Sequence, residues 1–436
     1  MSTLARSGRA KRRPMYWQTE VCMAGNLDKS KHVLPPEPQK RYVRDKMVWN
    51  PAMHAIPVSG IRRMVNRASE LDDVVHLSIG QPDFATPRHI IDAHIHALEA
   101  GQTGYTMDAG LPELLTALKD YYNAKYRSTL DEDNFLVTTG ATEGIYLLLT
   151  AMAAPGREFI IADPTFLLYA PLIRMNGGQV RTVPTKASEG HQIDPQRIID
   201  MIGPNTHCIV LNSPSNPTGT VYPRETVEWL CQEAAYRGVE ILSDEVYDNL
   251  ILDDIDYPSV LSCATDLDGV SVVSSFSKTY AMPGLRVGWV VADQNTIRTL
   301  RRYHMFTTTV ASTPAQWAGV AALLGDQSCI TEMVTEYARR RDRVVDLVNN
   351  TAGLTGYWPQ GAFYIAPSLP AGVDAGKIAM RMLEETGVCV IPGDAFGESS
   401  SDLLRISYST SMEKIEEAFA RMQPWMERQP EIARYT

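Results

Sequence analysis

Cysteine is scarce in this chain of 436 residues: six are present (Cys22, Cys208, Cys231, Cys263, Cys329 and Cys389), with no CxxC pair and no metal-like grouping with histidine. That scatter excludes a disulfide-stapled scaffold and a structural zinc site, and it suits the reduced thiols of a cytoplasmic protein. Long hydrophobic runs are missing too. The longest helix-like apolar stretch, 145–154, falls well short of the roughly 18 to 20 residues that cross a bilayer, so no membrane partner is expected. Positive charge is in deficit, 41 Lys and Arg against 51 Asp and Glu for a net charge of −10, which argues against a nucleic-acid partner. No internal repeat or low-complexity tract is visible. Apolar residues, by contrast, make up 44% of the chain, enough for a large core, and the length allows about two or three domains.

Residues 1–47 differ from the rest. They open with Arg6, Arg9, Lys11, Arg12 and Arg13, carry no acid before Glu20, and pass through Pro35-Pro36-Glu37-Pro38. They read as an appended basic and proline-containing extension, either a solvated tail or an arm on a partner subunit. An Arg-rich, acid-poor start also permits a targeting presequence, although no long apolar core of a secretory signal follows. Beyond the extension, apolar runs at 135–139, 159–162, 179–183, 208–211, 239–243, 270–274 and 287–292 alternate with segments of helical period. That alternation predicts a mostly parallel sheet covered by helices. From 313 to 350 an amphipathic pattern takes over, with Met333, Tyr337, Val344 and Leu347 forming an apolar stripe amid the charges of Arg339 to Arg343. It is expected to connect two domains.

Chemistry-bearing residues cluster where these runs end. In Ser274-Ser275-Phe276-Ser277-Lys278-Thr279-Tyr280-Ala281-Met282-Pro283-Gly284-Leu285-Arg286, one lysine follows two hydroxyls and precedes an arginine by eight residues. Lys278 suits a Schiff base with an aldehyde cofactor, and Ser275, Ser277 and Arg286 suit that cofactor's phosphate. Asn212-Ser213-Pro214-Ser215-Asn216-Pro217-Thr218-Gly219 follows the run 207–211, at a parallel strand's C-terminal end, where binding groups belong. Ser243-Asp244-Glu245-Val246-Tyr247 does the same after 239–242. A buried Asp244 can pair with a protonated pyridine nitrogen, while Tyr247 and Asn216 can hydrogen-bond the ring 3'-oxygen. Val137-Thr138-Thr139-Gly140-Ala141-Thr142-Glu143 reads as strand, glycine turn and helix start, which offers the Ala141 and Thr142 amides to a phosphate.

The ordered set of these motifs resembles the class I/II aminotransferases, the fold-type I family of pyridoxal 5'-phosphate enzymes, from about Val48 to near the C-terminus. The resemblance implies an α/β fold: a large cofactor-binding domain with a mostly parallel seven-stranded sheet over 96–310, and a smaller α/β domain. The small domain would combine 48–95 with 311–436, the latter beginning with the interdomain helix. It implies that Lys278 carries the cofactor and that Asp244 sits on the pyridine nitrogen. Asn216 and Tyr247 would hold the 3'-oxygen, and Ser275, Ser277, Arg286, Ala141 and Thr142 the phosphate. Phe166, in Asp163-Pro164-Thr165-Phe166, matches the aromatic ring placed over the cofactor. Tyr105, in Gly104-Tyr105-Thr106, is similar to the tyrosine sent across a dimer interface to the partner's phosphate, which implies a homodimer with shared active sites. Gly80, in Leu77-Ser78-Ile79-Gly80-Gln81-Pro82-Asp83-Phe84, matches the glycine beside the substrate carboxylate. Arg405, in Leu404-Arg405-Ile406-Ser407-Tyr408, matches the arginine that clamps that carboxylate, and Asn216 is implied to bind the substrate as well as the cofactor.

The implied activity is transamination, the amino group of an L-amino acid passing to a 2-oxo acid by ping-pong chemistry with Lys278 as proton carrier. The same residues serve an elimination or cyclisation enzyme, such as one resembling aminocyclopropane-carboxylate synthases, because fold and cofactor do not fix the reaction. A non-catalytic cofactor-binding regulator is a third reading, weakened by the intact Lys278 and Arg405. Thr142 stands where some aspartate-preferring members carry a lysine, and no second basic residue declares itself for a dicarboxylic substrate. Phe166, Tyr105 and Tyr364 would instead make an apolar or aromatic pocket.

Overall fold

The apolar runs of the sequence become buried strands. In the computed structural model, which describes Ile56 and residues 60–434, helix Gly60–Ala68 is followed by the short strand β1 (Val75–His76). The chain then lays down β2 (Phe135–Thr138), β3 (Glu158–Asp163), β4 (Gln179–Pro184), β5 (Thr206–Asn212), β6 (Glu240–Asp244), β7 (Val270–Ser275) and β8 (Gly288–Ala292). These seven form one sheet in the order β2-β8-β7-β6-β5-β3-β4. Neighbours are parallel except around β8, which runs antiparallel to β2 and β7. Every residue of β2, β7 and β8 is buried, so these strands read as unbroken runs of apolar and small residues rather than as an alternation.

The pleat still sorts side chains between two faces. Phe135, Val137, Ile160, Ile209, Leu211, Ile241 and Val272 join one core with Leu114, Leu118 and Tyr122 of helix Pro112–Tyr126. Leu136, Phe159, Ile161, Val210, Leu242 and Val273 join the other with Ile145, Leu148 and Leu149 of helix Ala141–Met152.

A further core gathers around β1, β9 (Tyr364–Ile365), β10 (Val388–Cys389), β11 (Ile391–Pro392) and β12 (Leu404–Ser407), with helices Ala375–Thr386 and Met412–Glu427. There β1 pairs with β10, and β12 lies between β11 and β9. The amphipathic stretch 313–350 is two helices rather than one. Thr313–Leu324 packs Ala315, Ala318 and Ala322 into the sheet's core, and Ser328–Asn349 supplies Met333, Tyr337, Val344 and Leu347 to the further one. Two arginines of its charged run turn inward: Arg340 meets Asp83 and Glu336, each at 2.8 Å, and Arg341 meets Asp253 at 2.6 Å.

The reading of residues 1–47 as an appended extension lies outside the described residues. Among the described residues no helix is long and apolar enough to cross a membrane, and no cluster of His, Cys, Asp or Glu is arranged to hold a metal ion. Cys208, Cys231, Cys263, Cys329 and Cys389 are free thiols.

Candidate active site

Parallel strands leave a crevice at their C-terminal ends. Here the ends of β5, β6 and β7 open into a cavity of about 270 Å³, lined by every site residue expected from the sequence except Tyr105. β7 finishes at Ser275, whose Oγ accepts from the Ser277 amide (3.3 Å) and starts the single turn Phe276–Thr279 that presents Lys278. Nζ of Lys278 donates to the carbonyl of Gly80 at 2.6 Å. Burial, then the charges of Arg405 and Arg286, push its amine down from 10.5 to about 8.

Asp244 ends β6 and is 2% exposed. Its Oδ2 accepts from the Tyr169 hydroxyl at 2.6 Å and its Oδ1 from the Val246 amide at 3.3 Å. Burial nevertheless pushes the carboxyl up to about 6, with those two donors acting in the opposite direction. Asn212 stitches the neighbouring loop to this strand: its Nδ2 donates to the Asp244 carbonyl (3.2 Å) and its Oδ1 accepts from the Asn216 amide (2.9 Å). The hydroxyls of Tyr247 and Tyr364 lie 3.0 Å apart, and burial holds the Tyr247 phenol protonated.

Ala141 and Thr142, which line the cavity, begin a helix whose N-terminus no side chain caps. Gly140 precedes it at φ 74°, and a Cβ there would collide with the guanidinium of Arg286. An uncapped helix start, two buried hydroxyls (Ser275, Ser277) and an arginine together make an anion cradle. Arg405 of β12 also lines the cavity; it is 2% exposed, and its guanidinium lies 4.8 Å from the Tyr364 ring and 5.0 Å from the Phe396 ring. It donates to Asn216 Oδ1 (3.2 Å) and to the Ser78 carbonyl, and its Nε has no partner. A buried guanidinium with an N–H left over calls for a second anion.

Phe166, Thr142 and Gly80 line the walls. Tyr105 does not join them: it is 86% exposed, on a loop held by the Thr313 hydroxyl, which donates to the Gly104 carbonyl (2.6 Å). Ile61, Ser78, Ile145, Asn212, Val246 and Pro283 also line the cavity and had no assigned role, nor did Tyr169 behind Asp244. Asn212 and Ser78 lie inside motifs that the sequence already marks, whereas Tyr169 gives only a spacing, three residues after Phe166.

The donor set fits pyridoxal 5'-phosphate with an amino-acid substrate. The uncapped helix end matches a phosphate, the buried acid a ring nitrogen, the amine an aldehyde, and the orphaned Arg405 Nε a carboxylate.

Residues 72–422 match the family described as aminotransferase class I and II. An aspartate aminotransferase of Pyrococcus horikoshii is 37% identical over 372 residues, spanning 85% of this chain and 95% of its own. Aromatic-amino-acid aminotransferase 2 of Thermococcus litoralis is 32% identical over 383 residues, 86% of this chain and 98% of its own. The crystal structure of an aspartate aminotransferase from Thermotoga maritima aligns with a TM-score of 0.82 at 31% identity, covering 87% of this chain and all of that one.

Proposed function

This chain belongs to the class I and II aminotransferases, and from that premise we propose that it moves an amino group from an L-amino acid to a 2-oxo acid with pyridoxal 5'-phosphate held on Lys278. The observation that carries the proposal is one cavity that brings the Lys278 amine together with Asp244 and Arg405. When bound, the cofactor supplies an aldehyde and an electron-withdrawing ring that stabilises charge at the substrate α-carbon. Ser275, Ser277, Arg286 and the amides of Ala141 and Thr142 would take its phosphate. Asp244 would pair with its ring nitrogen, Asn216 and Tyr247 would hydrogen-bond its 3'-oxygen, and Phe166 would pack on the ring. Arg405, with Gly80 and Asn216, orients the substrate carboxylate. Nζ of Lys278, lowered to about 8, is basic enough to take the α-proton and close enough to neutrality to release it.

The donor we propose carries an apolar or aromatic side chain. Among the described residues, the cations lining the cavity are Lys278, Arg286 and Arg405, each already engaged, while Ile61, Phe166, Val246 and Tyr364 are apolar or aromatic. Thr142 adds no charge for a distal carboxylate. The name of the Thermococcus litoralis relative agrees with this donor, and that of the Pyrococcus horikoshii relative favours aspartate as the second reading.

The enzyme is proposed to be a homodimer with shared sites, a reading supported by exposed Tyr105 and its exposed apolar companions Met107 and Phe306. Their segments are tied together by the Asp108–Arg301 ion pair at 2.6 Å. We propose a small domain of 48–95 with 311–436 and a large one of 96–310; the separate apolar cores support two domains, while Ile90 and helix Thr313–Leu324 pack with the sheet's core and Val246 to Leu252 with the further one. The free thiols support a cytoplasmic location.

A donor panel tests the function. Each amino acid is added to the loaded enzyme without any 2-oxo acid, and the 2-oxo acid released is measured. Phenylalanine, tyrosine or leucine should yield it stoichiometrically with cofactor. Ammonia released alongside the 2-oxo acid, or a cyclic product, with the cofactor left in its aldehyde form would overturn transamination, and failure of all three donors while a polar or cationic one works would overturn the apolar pocket.

A further inference from the structure

We propose that Tyr169 is a positioning residue for this reaction, its phenol holding the Asp244 carboxylate ionised and oriented toward the cofactor ring nitrogen. The inference rests on the role given to Asp244 above. Tyr169 opens the helix Tyr169–Met175 just beyond β3 and is fully buried, its ring packed edge-on against Phe166 at 5.8 Å. One short segment thus supplies both the residue read as stacking on the ring and the phenol behind the acid.

The hydroxyl lies 2.6 Å from Asp244 Oδ2, the range of a charge-assisted O–H···O⁻ bond. Among the described residues it is the only side chain that hydrogen-bonds this carboxylate, the remaining contact being the longer one from the Val246 amide. Burial first, then the negative charge of Asp244, keep the phenol's own proton in place, so the hydroxyl acts as the donor.

The charged and titratable groups facing Asp244 leave little else to hold it as an anion. Lys278, beyond β7, offers its charge without a hydrogen bond, and Tyr247 and Tyr257 are buried phenols that stay protonated. An acid so deeply buried protonates when a donor is withdrawn, and a neutral acid no longer complements a protonated ring nitrogen.

The test uses the full-length enzyme carrying Tyr169→Phe, Asp244→Asn or both. Tyr169→Phe keeps the ring and its packing and removes one oxygen, and recorded unfolding transitions check that each variant is folded. Three quantities are read: affinity of the stripped protein for pyridoxal 5'-phosphate, the split between kcat and amino-acid KM, and the acid limb of the kcat–pH profile. Tyr169→Phe should lower cofactor affinity and kcat on the order of tenfold, leave KM unchanged and move the acid limb to higher pH. In the Asp244→Asn background the same change should add nothing. Full additivity of the two losses, or a Tyr169→Phe enzyme indistinguishable from the parent in affinity and pH profile, overturns the proposal. If Asp244→Asn alone leaves affinity and turnover intact, the role of Asp244 falls first and takes this inference with it.

Discussion

The lowered basicity of Lys278 can be read without turnover. At pH 7.5 an amine titrating at about 8 is roughly 24% neutral, whereas one at the ordinary 10.5 is roughly 0.1% neutral, a difference of about two-hundredfold in nucleophile. Burial disfavours the ammonium, and Arg405 and Arg286 add to that effect. The assay is trace acylation of the cofactor-stripped protein between pH 6 and 10.5, with the Lys278 peptide quantified by mass spectrometry against free N-acetyl-lysine in the same tube. Because midpoints rather than absolute rates are compared, limited access of the reagent to the cavity does not bias the result. The Lys278 midpoint should lie near pH 8, and Arg405→Leu, by removing a repelling charge, should raise it. A midpoint coinciding with that of free lysine would refute the argument that this cavity activates the amine.

Arg405→Ala should reduce kcat/KM for amino acids on the order of a hundredfold through lost carboxylate binding while cofactor affinity holds; an equal loss of both would reassign Arg405. Gly397→Ala would drive a methyl group into the Asp163 carboxylate, which accepts from the Ser399 amide (2.9 Å) and the Ser400 hydroxyl (2.6 Å). A loss of about 2 kcal/mol or more in unfolding free energy is expected, and an unchanged denaturation midpoint would contradict the packing described. If Tyr105 serves the partner's site, mixing inactive Lys278→Ala and Tyr105→Ala chains should regenerate up to about a quarter of parental activity in mixed dimers, whereas no recovery after subunit exchange would place each site within one chain.

Much of the site was legible because a parallel sheet gathers functional groups at strand ends, and Asn216, Asp244 and Lys278 each follow a recognisable buried run. The inward turn of Arg340 and Arg341 was not, since a run of arginines on an amphipathic helix looks solvated until Asp83 and Asp253 arrive from distant segments. Nor was the setting of Arg405 beside Tyr364 and Phe396. It depends on the antiparallel pairing of β12 with β9, where Ser407 faces Tyr364, and on a loop that returns after β11. The break of the 313–350 pattern at residues 325–327 is marked by Gly325, yet apolar periodicity on both sides masks it. Tyr169 shows why a buried phenol cannot be assigned from sequence: nothing in its local context distinguishes a packing tyrosine from one aimed at a carboxylate.

The most direct test of a Lys278-centred aminotransferase is the absorbance of the purified protein during single-turnover addition of amino acids with no 2-oxo acid present. The parent should convert its cofactor band to that of the pyridoxamine form as one equivalent of 2-oxo acid appears, and Lys278→Ala, though folded, should show neither the parental band nor turnover. An unchanged band with consumed amino acid, or a turning-over Lys278→Ala enzyme, would contradict the account.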